Sequence, residues 1–132
     1  MPPTHTTLTT LVKTYFNHID AHNPTAASAL FSPTATFTIQ TEQTTFTGRE
    51  AIHAMLARFT ARVTTMEHRV RSIVADETTG RVATQQYFVG GMSDGTRCDM
   101  VNCNFFDVVE VDGEGRIGGV VVWMAGGSSP LV

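Results

Sequence analysis

Lysine, cysteine and tryptophan are scarce in this chain of 132 residues, which has one lysine, two cysteines and one tryptophan. Acidic residues outnumber basic ones by 12 to 9, and the formal net charge is -3. The arginines are spread along the chain without forming a basic stripe, so we expect no nucleic-acid partner. Apolar runs are shorter than the roughly 18 residues of a membrane span, and the first residues resemble no secretory signal. We therefore expect a cytoplasmic protein without membrane contact.

The sequence also lacks motifs for metals and cofactors. Cys98 and Cys103 are expected to be free thiols, because on one predicted strand they point to opposite faces. The histidines form no His-Glu-x-x-His pattern. His18 and His22 are one helical turn apart, which also fits a solvated helix face. With no glycine-rich phosphate loop either, we expect no metal and no cofactor.

The two halves of the chain differ in the spacing of their apolar residues. In the first half, spacings of three and four predict helices, with a strand and its hairpin partner before the third helix. From residue 65 onward, turn signals separate predicted strands. We predict one α+β domain over residues 1–132, with three helices packed on a curved, mostly antiparallel sheet. The first predicted helix ends near Asn23-Pro24, the second covers 25–31, and the third starts at 47–50. The predicted strands cover 35–39, 44–46, 66–76, 81–91, 96–111 and 116–125.

His68 interrupts the apolar face of a predicted half-buried strand. Between residues 66 and 74, Met66, Val70 and Val74 occupy even positions, whereas charged side chains fall on odd ones. With the two-residue period of a strand, the imidazole points to the interior. A buried polar ring without a hydrogen bond costs about 1–3 kcal/mol, so we expect His68 to have a partner.

Three further polar residues lie where core residues are expected. Tyr15 falls within the apolar stripe of the first helix and is either a core residue or a hydrogen-bond donor to a ligand. Asp20 lies near the end of that helix, where the macrodipole disfavours a carboxylate, so it is either solvated or paired with a histidine. Asp107 shares strand parity with Val109 and Val111, which predicts an inward carboxylate. The alternative for Asp107 is a salt-bridged or edge position.

Other residues are candidates for the wall of a binding site. Asn104 is a candidate substrate contact, although a sheet face covered by another subunit would also accommodate it. Gln86 shares parity with Phe88, and Gln40 follows the first strand; each is either a satisfied surface amide or a substrate contact. Phe88 and Trp123 offer an apolar wall for a ligand and equally fit an ordinary core.

The segments ALFSPTA at 29–35, GREAI at 48–52 and VDGEGRI at 111–117, with the order of elements, carry a family resemblance. Nearly the whole chain resembles the nuclear transport factor 2-like superfamily, which includes SnoaL-like polyketide cyclases, ketosteroid isomerases, limonene epoxide hydrolase and scytalone dehydratase. The resemblance implies a cone-shaped α+β fold and a homodimer.

The resemblance to scytalone dehydratase implies roles for four residues. Asp20 and His68 fall where those enzymes carry a hydrogen-bonded Asp-His pair. Asn104 falls near their substrate-binding asparagine, whereas Gln86 stands where their second catalytic histidine is expected. The dehydratase machinery is therefore matched only in part.

The resemblance to ketosteroid isomerases is also partial. Tyr15 and Asp107 fall on the tyrosine and the protonated aspartate of the oxyanion hole of those enzymes. The base of those enzymes is absent, because Ile39 occupies its place and Gln40 cannot abstract a proton. The last strand, 120–124, also lacks the acid used by SnoaL-like cyclases and by epoxide hydrolases of this fold.

These features together predict a metal-independent acid-base enzyme of secondary-metabolite biosynthesis. We expect Asp20 to orient His68, and Tyr15, Asn104 and Asp107 to hold or polarise a substrate oxygen. The expected partner is a hydrophobic small molecule, and the expected reaction is dehydration, isomerisation or cyclisation of an oxygenated polyketide-, terpenoid- or alkaloid-like substrate. The alternative is a non-catalytic ligand-binding or dimerisation module of the same fold.

Overall fold

A computed structural model describes residues 3–125 of the chain. Three helices and six strands follow one another, with a short 3-10 turn between the first two strands. The elements are α1 (His5–Asp20), α2 (Pro24–Ser28), β1 (Phe31–Ile39), β2 (Thr44–Thr47), α3 (Arg49–Arg62), β3 (Val63–Asp76), β4 (Arg81–Met92), β5 (Met100–Val111) and β6 (Glu114–Ala125).

All six strands form one sheet in the order β2-β1-β6-β5-β4-β3. Strands β1 and β6 pair in parallel, and the other neighbours pair antiparallel. The predicted α+β class is confirmed, with helices packed on one face of a curved, mostly antiparallel sheet. The extent of a single domain over residues 1–132 stays a prediction. No helix among residues 3–125 is long and apolar enough to cross a membrane.

Helix α1 brings two site residues to the sheet. Thr4 caps its start, because the Thr4 hydroxyl accepts a hydrogen bond from the Thr7 backbone N–H at 3.2 Å. The buried stripe of the helix then faces the sheet, and Tyr15 belongs to that stripe. The helix ends at Asp20, so this carboxylate lies at the negative end of the macrodipole.

The second and third helices begin or end at other residues than predicted. Helix α2 stops at Ser28, because Phe31 already pairs with Ile117 of β6 and starts strand β1. Thr47, in the predicted start of the third helix, belongs to β2. Gly48 precedes the helix instead, with a φ of 93° that favours glycine.

Two strands expose faces other than those predicted. A bulge between Val70 and Ser72 reverses the parity of β3, so Val74 is 66% exposed rather than interior. From Met100 to Val109 of β5, the even-numbered residues are buried and the odd-numbered ones are exposed. The inward orientation predicted for Asp107 is therefore wrong. Valines and phenylalanines occur on both faces of β5, so apolar alternation alone did not identify the inner face.

The core between α1 and the sheet is aromatic. Tyr15 makes edge-on contacts with Phe31 and Phe106, with ring centroids 5.7 and 5.8 Å apart. Phe106 also contacts Phe16 edge-on at 5.9 Å. Fully burying an aromatic side chain contributes about 1.5–3 kcal/mol, so this cluster holds α1 firmly over β5.

Candidate active site

Asp20 binds His68 through both of its carboxylate oxygens. Oδ1 lies 2.5 Å from the ring nitrogen Nδ1 of His68, and Oδ2 accepts the backbone N–H of His68 at 2.9 Å. The side chains are 22% and 10% exposed, respectively. A carboxylate at a helix C-terminus thus obtains two donors from one strand residue, which offsets its unfavourable position in the helix dipole.

This pairing also sets the chemical form of the imidazole. An ionised carboxylate only accepts hydrogen bonds, so Nδ1 carries the proton and donates a hydrogen bond to Asp20. In the neutral ring, Nε2 then has the free lone pair. No described residue forms a hydrogen bond to Nε2, which leaves this nitrogen as the basic atom of the site.

Two aromatic rings fix the position of the His68 side chain. Its centroid lies 4.9 Å from that of Phe16 on α1 and 5.0 Å from that of Phe88 on β4. The interplanar angles of 34° and 57° give tilted contacts that leave little room for another rotamer. The imidazole is thus held by aromatic packing and by its carboxylate partner.

His68 and the surrounding rings line a cavity between the helices and the inner face of the sheet. The volume available to the centre of a water molecule is about 30 Å³, and the whole space including the mouth is about 400 Å³. The inner part therefore holds about two waters, and a larger ligand has to extend into the mouth or displace side chains. The lining residues are Tyr15, Phe16, Ile19, Phe37, Phe59, His68, Gln86, Phe88, Met100, Asn102, Asn104, Val122 and Met124.

Tyr15 brings a neutral hydroxyl to this cavity. The residue is only 4% exposed, and burial together with the nearby negative charge of Asp20 raises the pKa of its phenol well above the ordinary value. The phenol therefore stays protonated at physiological pH and can donate a hydrogen bond to a ligand oxygen.

A chain of neutral side chains lies on strands β4 and β5. The Thr84 hydroxyl donates to Oε1 of Gln86 at 2.8 Å, and Nε2 of Gln86 donates to Oδ1 of Asn104 at 2.9 Å. All three residues are buried, with exposed fractions of 4% or less. Their hydrogen bonds satisfy groups that would otherwise be costly to bury.

Asn102 lies beside this chain but does not join it. The residue is 5% exposed, and within residues 3–125 its Oδ1 is the one buried side-chain polar atom found without a hydrogen-bond partner. It lines the cavity two residues before Asn104 on the same strand face. Sequence analysis missed it because strand β5 had been assigned the opposite inner face.

The structure brings together five of the predicted site residues and excludes three from the cavity. Tyr15, His68, Gln86, Phe88 and Asn104 line it, and Asp20 supports His68 from behind. The three excluded residues are Asp107, Gln40 and Trp123.

Each exclusion has a structural reason. Asp107 is on the outer face of the sheet, where it pairs with Arg81 at 3.0 Å and is 54% exposed. Gln40 is exposed in the 3-10 turn after β1 and does not line the cavity. Trp123 is 45% exposed and packs against Phe105 on the outer face. The oxyanion-hole role of Asp107 and the substrate contacts predicted for Gln40 and Trp123 are therefore wrong.

Sequence analysis also missed apolar lining residues. Phe16 and Phe59 belong to the buried stripes of α1 and α3, and nothing in helical spacing distinguishes a core residue from one beside a cavity. Met100 and Met124 supply flexible side chains near the amides. Among residues 3–125, no three side chains of histidine, cysteine, aspartate or glutamate gather as a metal site.

Helices over a curved sheet, with an enclosed site between them, define a protein of the nuclear transport factor 2-like class. The SnoaL-like domain profile matches residues 12–118, which include Asp20, His68 and all the amides of the cavity. The chain therefore belongs to the SnoaL-like domain family. No curated protein has a significant match to the sequence.

Solved structures share this fold at low sequence identity. AusH from Aspergillus nidulans has a TM-score of 0.81 at 14% identity, covering 98% of this chain and 92% of that one. An LEH-like epoxide hydrolase from M. tuberculosis has a TM-score of 0.76 at 19% identity, covering 93% and 86%. A candidate SnoaL-like polyketide cyclase from Shewanella denitrificans has a TM-score of 0.73 at 15% identity, covering 89% and 90%. These similarities establish the fold.

Proposed function

We propose that this protein is a cofactor-independent acid-base enzyme in which His68 moves a proton of an oxygenated, apolar small molecule. The observation that carries the proposal is the contact of 2.5 Å between Asp20 and Nδ1 of His68 at the wall of the cavity. Because Asp20 accepts a hydrogen bond from Nδ1–H, Nε2 is the ring nitrogen that can take a proton from a ligand. Asp20 also stabilises the imidazolium that forms when Nε2 takes a proton.

The first step is removal of a proton from a carbon next to a carbonyl group. The proton goes to Nε2 of His68, and the electron pair of the broken C–H bond forms the enolate. Tyr15 is neutral and buried, so its hydroxyl is suited to donate a hydrogen bond to the enolate oxygen. Such positioned proton transfer contributes about 10²–10⁴-fold to a rate.

Three reactions share this first step. In dehydration, the enolate expels a hydroxyl group from the next carbon, and the imidazolium returns its proton to form water. In isomerisation, the proton returns to a different carbon. In cyclisation, the enolate carbon attacks a second carbonyl, and the imidazolium returns its proton to the alkoxide that forms. Family membership and the apolar rings of the cavity support a polyketide-, terpenoid- or alkaloid-like substrate of a secondary-metabolite pathway.

The test uses proton exchange, because exchange requires only the shared first step. A panel of neutral ketones headed by α-tetralone is incubated in D₂O, and loss of the proton signal next to the carbonyl is followed by NMR. We expect the protein to accelerate exchange and His68→Ala to reduce the acceleration by about 10²–10⁴-fold while probe binding persists. The matched control is His53→Ala, which removes a histidine outside the cavity. Undiminished exchange in His68→Ala contradicts the proposal.

The alternative of a non-catalytic ligand-binding module predicts a different result in the same experiment. Ketone probes would bind the wild-type protein, but exchange would proceed at the rate measured without protein. Asp20 would then hold His68 as a structural hydrogen-bond pair. The Asp20–His68 pair at a cavity wall favours the enzyme over this alternative.

We also propose a homodimer that pairs through the outer face of β4, β5 and β6. This face exposes large apolar side chains, and Phe105 and Trp123 pack edge-on with centroids 5.5 Å apart. Exposed apolar residues gathered on one sheet face are typical of an interface. We expect sedimentation to give a dimer and Phe105→Asp to shift it to a monomer; a monomeric wild-type protein would contradict this assembly. The remaining exposed apolar residues of the face are Tyr87, Val101 and Val109.

A further inference from the structure

The unpartnered oxygen of Asn102 is the strongest feature of the cavity that the proposed chemistry does not use. The acceptor Oδ1 is buried without a hydrogen bond, and the Asn102 side chain lines the cavity. Buried polar groups in proteins are nearly always paired, because an unmade hydrogen bond is costly. An exception at a cavity wall indicates a group that a ligand pairs.

The strand register shows why the protein itself leaves this oxygen unpaired. Gln86 is directly opposite Asn102 in the β4–β5 ladder. The Gln86 amide nevertheless donates diagonally to Asn104, and its oxygen accepts from Thr84. Asn102 faces Met124 on its other side, in the register of β5 with β6, and methionine has no donor. The neighbouring cross-strand side chains thus form no hydrogen bond with Asn102 Oδ1.

We infer that Asn102 Oδ1 is a specificity determinant that accepts a hydrogen bond from a hydroxyl group of the ligand. The inference rests on the proposed function only in placing the substrate in this cavity. Two atoms of the site that can accept a proton or a hydrogen bond then have no partner in the protein. Nε2 of His68 takes the reacting proton, and Oδ1 of Asn102 holds a second polar group. A ligand that satisfies Asn102 therefore carries a hydroxyl besides the carbon that loses its proton.

The charges of the cavity restrict the ligand further. None of the lining residues is a lysine or an arginine, and the carboxylate nearest to it, Asp20, is already bound to His68. A carboxylate or phosphate group on the ligand would find no cation to replace its hydration. The substrate class is thus a neutral molecule with an apolar body, a carbonyl group and a hydroxyl group.

The first experiment measures thermal unfolding, which needs no ligand. Asn102→Leu replaces an unpaired amide by an apolar side chain of similar size, so we expect the Tm to stay unchanged or rise by a few degrees. Gln86→Leu, which breaks the paired chain next to it, should lower the Tm. A drop in Tm for Asn102→Leu as large as that for Gln86→Leu would show that Asn102 holds the fold together, and would overturn the inference.

The second experiment compares binding of two probes, 2-naphthol and 2-methoxynaphthalene, by calorimetry. They share an apolar body, but only the naphthol has a donor. We expect the wild-type protein to favour 2-naphthol by about tenfold or more, and Asn102→Leu to reduce this preference to about twofold or less. Cys103→Ser, on the outer face of the same strand, should keep the wild-type preference.

Binding and turnover can fail separately in these tests. A preference for 2-naphthol that survives in Asn102→Leu overturns the role of Asn102, and so does a wild-type protein that binds neither probe or both equally. Ketone exchange by the wild-type protein at the rate measured without protein would instead contradict the acid-base function. In that case the naphthol preference of the wild-type protein would still support Asn102 as a ligand contact.

Discussion

The two polar walls of the cavity are built in different ways. On one wall, Asp20 and His68 form a charge-assisted pair with a short contact of 2.5 Å. On the other, Thr84, Gln86 and Asn104 form a neutral chain with contacts of 2.8 and 2.9 Å. The first wall leaves a basic nitrogen open to the cavity, whereas the side chains of the second pair mainly with one another.

Under the proposed function, this difference separates the wall that takes part in proton transfer, the reactive wall, from a structural one. A pair that orients an open nitrogen affects the rate of proton transfer more than the stability of the fold. A chain of buried side chains that pair with one another affects the stability of the fold, because removing one member leaves the others unpaired. Asn102 is the exception on the amide wall, since its buried oxygen has no hydrogen-bond partner.

The largest effect is expected when the reactive wall loses its carboxylate. Asp20→Asn leaves one oxygen for the two N–H donors of His68 and removes the charge that stabilises the imidazolium. We expect exchange activity to fall by about 10²–10⁴-fold, or about 3–5 kcal/mol of barrier, in ketone exchange assays. Asp107→Asn is the matched control, because that carboxylate is on the outer face, and equal losses in both variants would refute the assignment.

A smaller effect, on stability, is expected when the amide wall is broken. Gln86→Leu leaves Oδ1 of Asn104 and the hydroxyl of Thr84 without their partner. The free energy of unfolding should fall by about 1–3 kcal/mol in urea denaturation. Gln85→Leu, one residue earlier and exposed on the outer face, should change it by less than about 0.5 kcal/mol. Indistinguishable stabilities would mean that the amide chain contributes nothing to the fold.

Tyr15 should make the stability sensitive to alkaline pH. Burial raises its pKa in the folded state, whereas the unfolded chain has the ordinary value of about 10. Below that pH the phenol is protonated in both states and has no effect. Above it the unfolded state ionises first, so the free energy of unfolding falls by about 1 kcal/mol over the next pH unit.

Denaturation at several alkaline pH values measures this loss. Tyr15→Phe has no ionisable group at this position and should lose less stability between pH 10 and 11. Tyr87→Phe, which alters the exposed tyrosine on the outer face, should retain the wild-type loss. An equal pH dependence in the wild-type protein and in Tyr15→Phe would contradict the buried, neutral phenol.

The smallest effect is expected for the ion pair outside the cavity. Arg81 and Asp107 are 63% and 54% exposed, so solvent and salt screen their contact. Arg81→Ala should change the free energy of unfolding by less than about 1 kcal/mol and leave ketone exchange unaltered. A large loss of activity would show that the outer face communicates with the cavity.

The fold and the reactive wall were predictable because their signals are local. Apolar spacing predicted α1, and turn chemistry separated the strands of the second half. The partner of His68 followed from two conflicts with ordinary patterns, an imidazole on an apolar strand face and a carboxylate at a helix C-terminus. Each conflict is resolved by the other residue, which is why the sequence predicted Asp20 as the partner.

The amide wall was not predictable from the same kind of pattern. Strand β5 has apolar side chains on both faces, and the alternation of apolar residues favoured the face of Asp107 as the inner one. In the structure, Asn102 and Asn104 are on the buried face instead. Oδ1 of Asn102 has no partner because the amide of Gln86 on β4 donates diagonally to Asn104 on β5. Such a choice between neighbouring partners is made by side-chain packing, and apolar alternation contains no information about it.

The most direct measurement of the central claim is the tautomer of His68. Long-range ¹H–¹⁵N correlation spectra of protein labelled at histidine, assigned with His68→Gln, report which ring nitrogen carries the proton. The account predicts that neutral His68 is protonated at Nδ1 and bare at Nε2, and that Asp20→Asn weakens this preference. Protonation at Nε2, or a spectrum unchanged in Asp20→Asn, would contradict the claim that Asp20 holds His68 as a base toward the cavity.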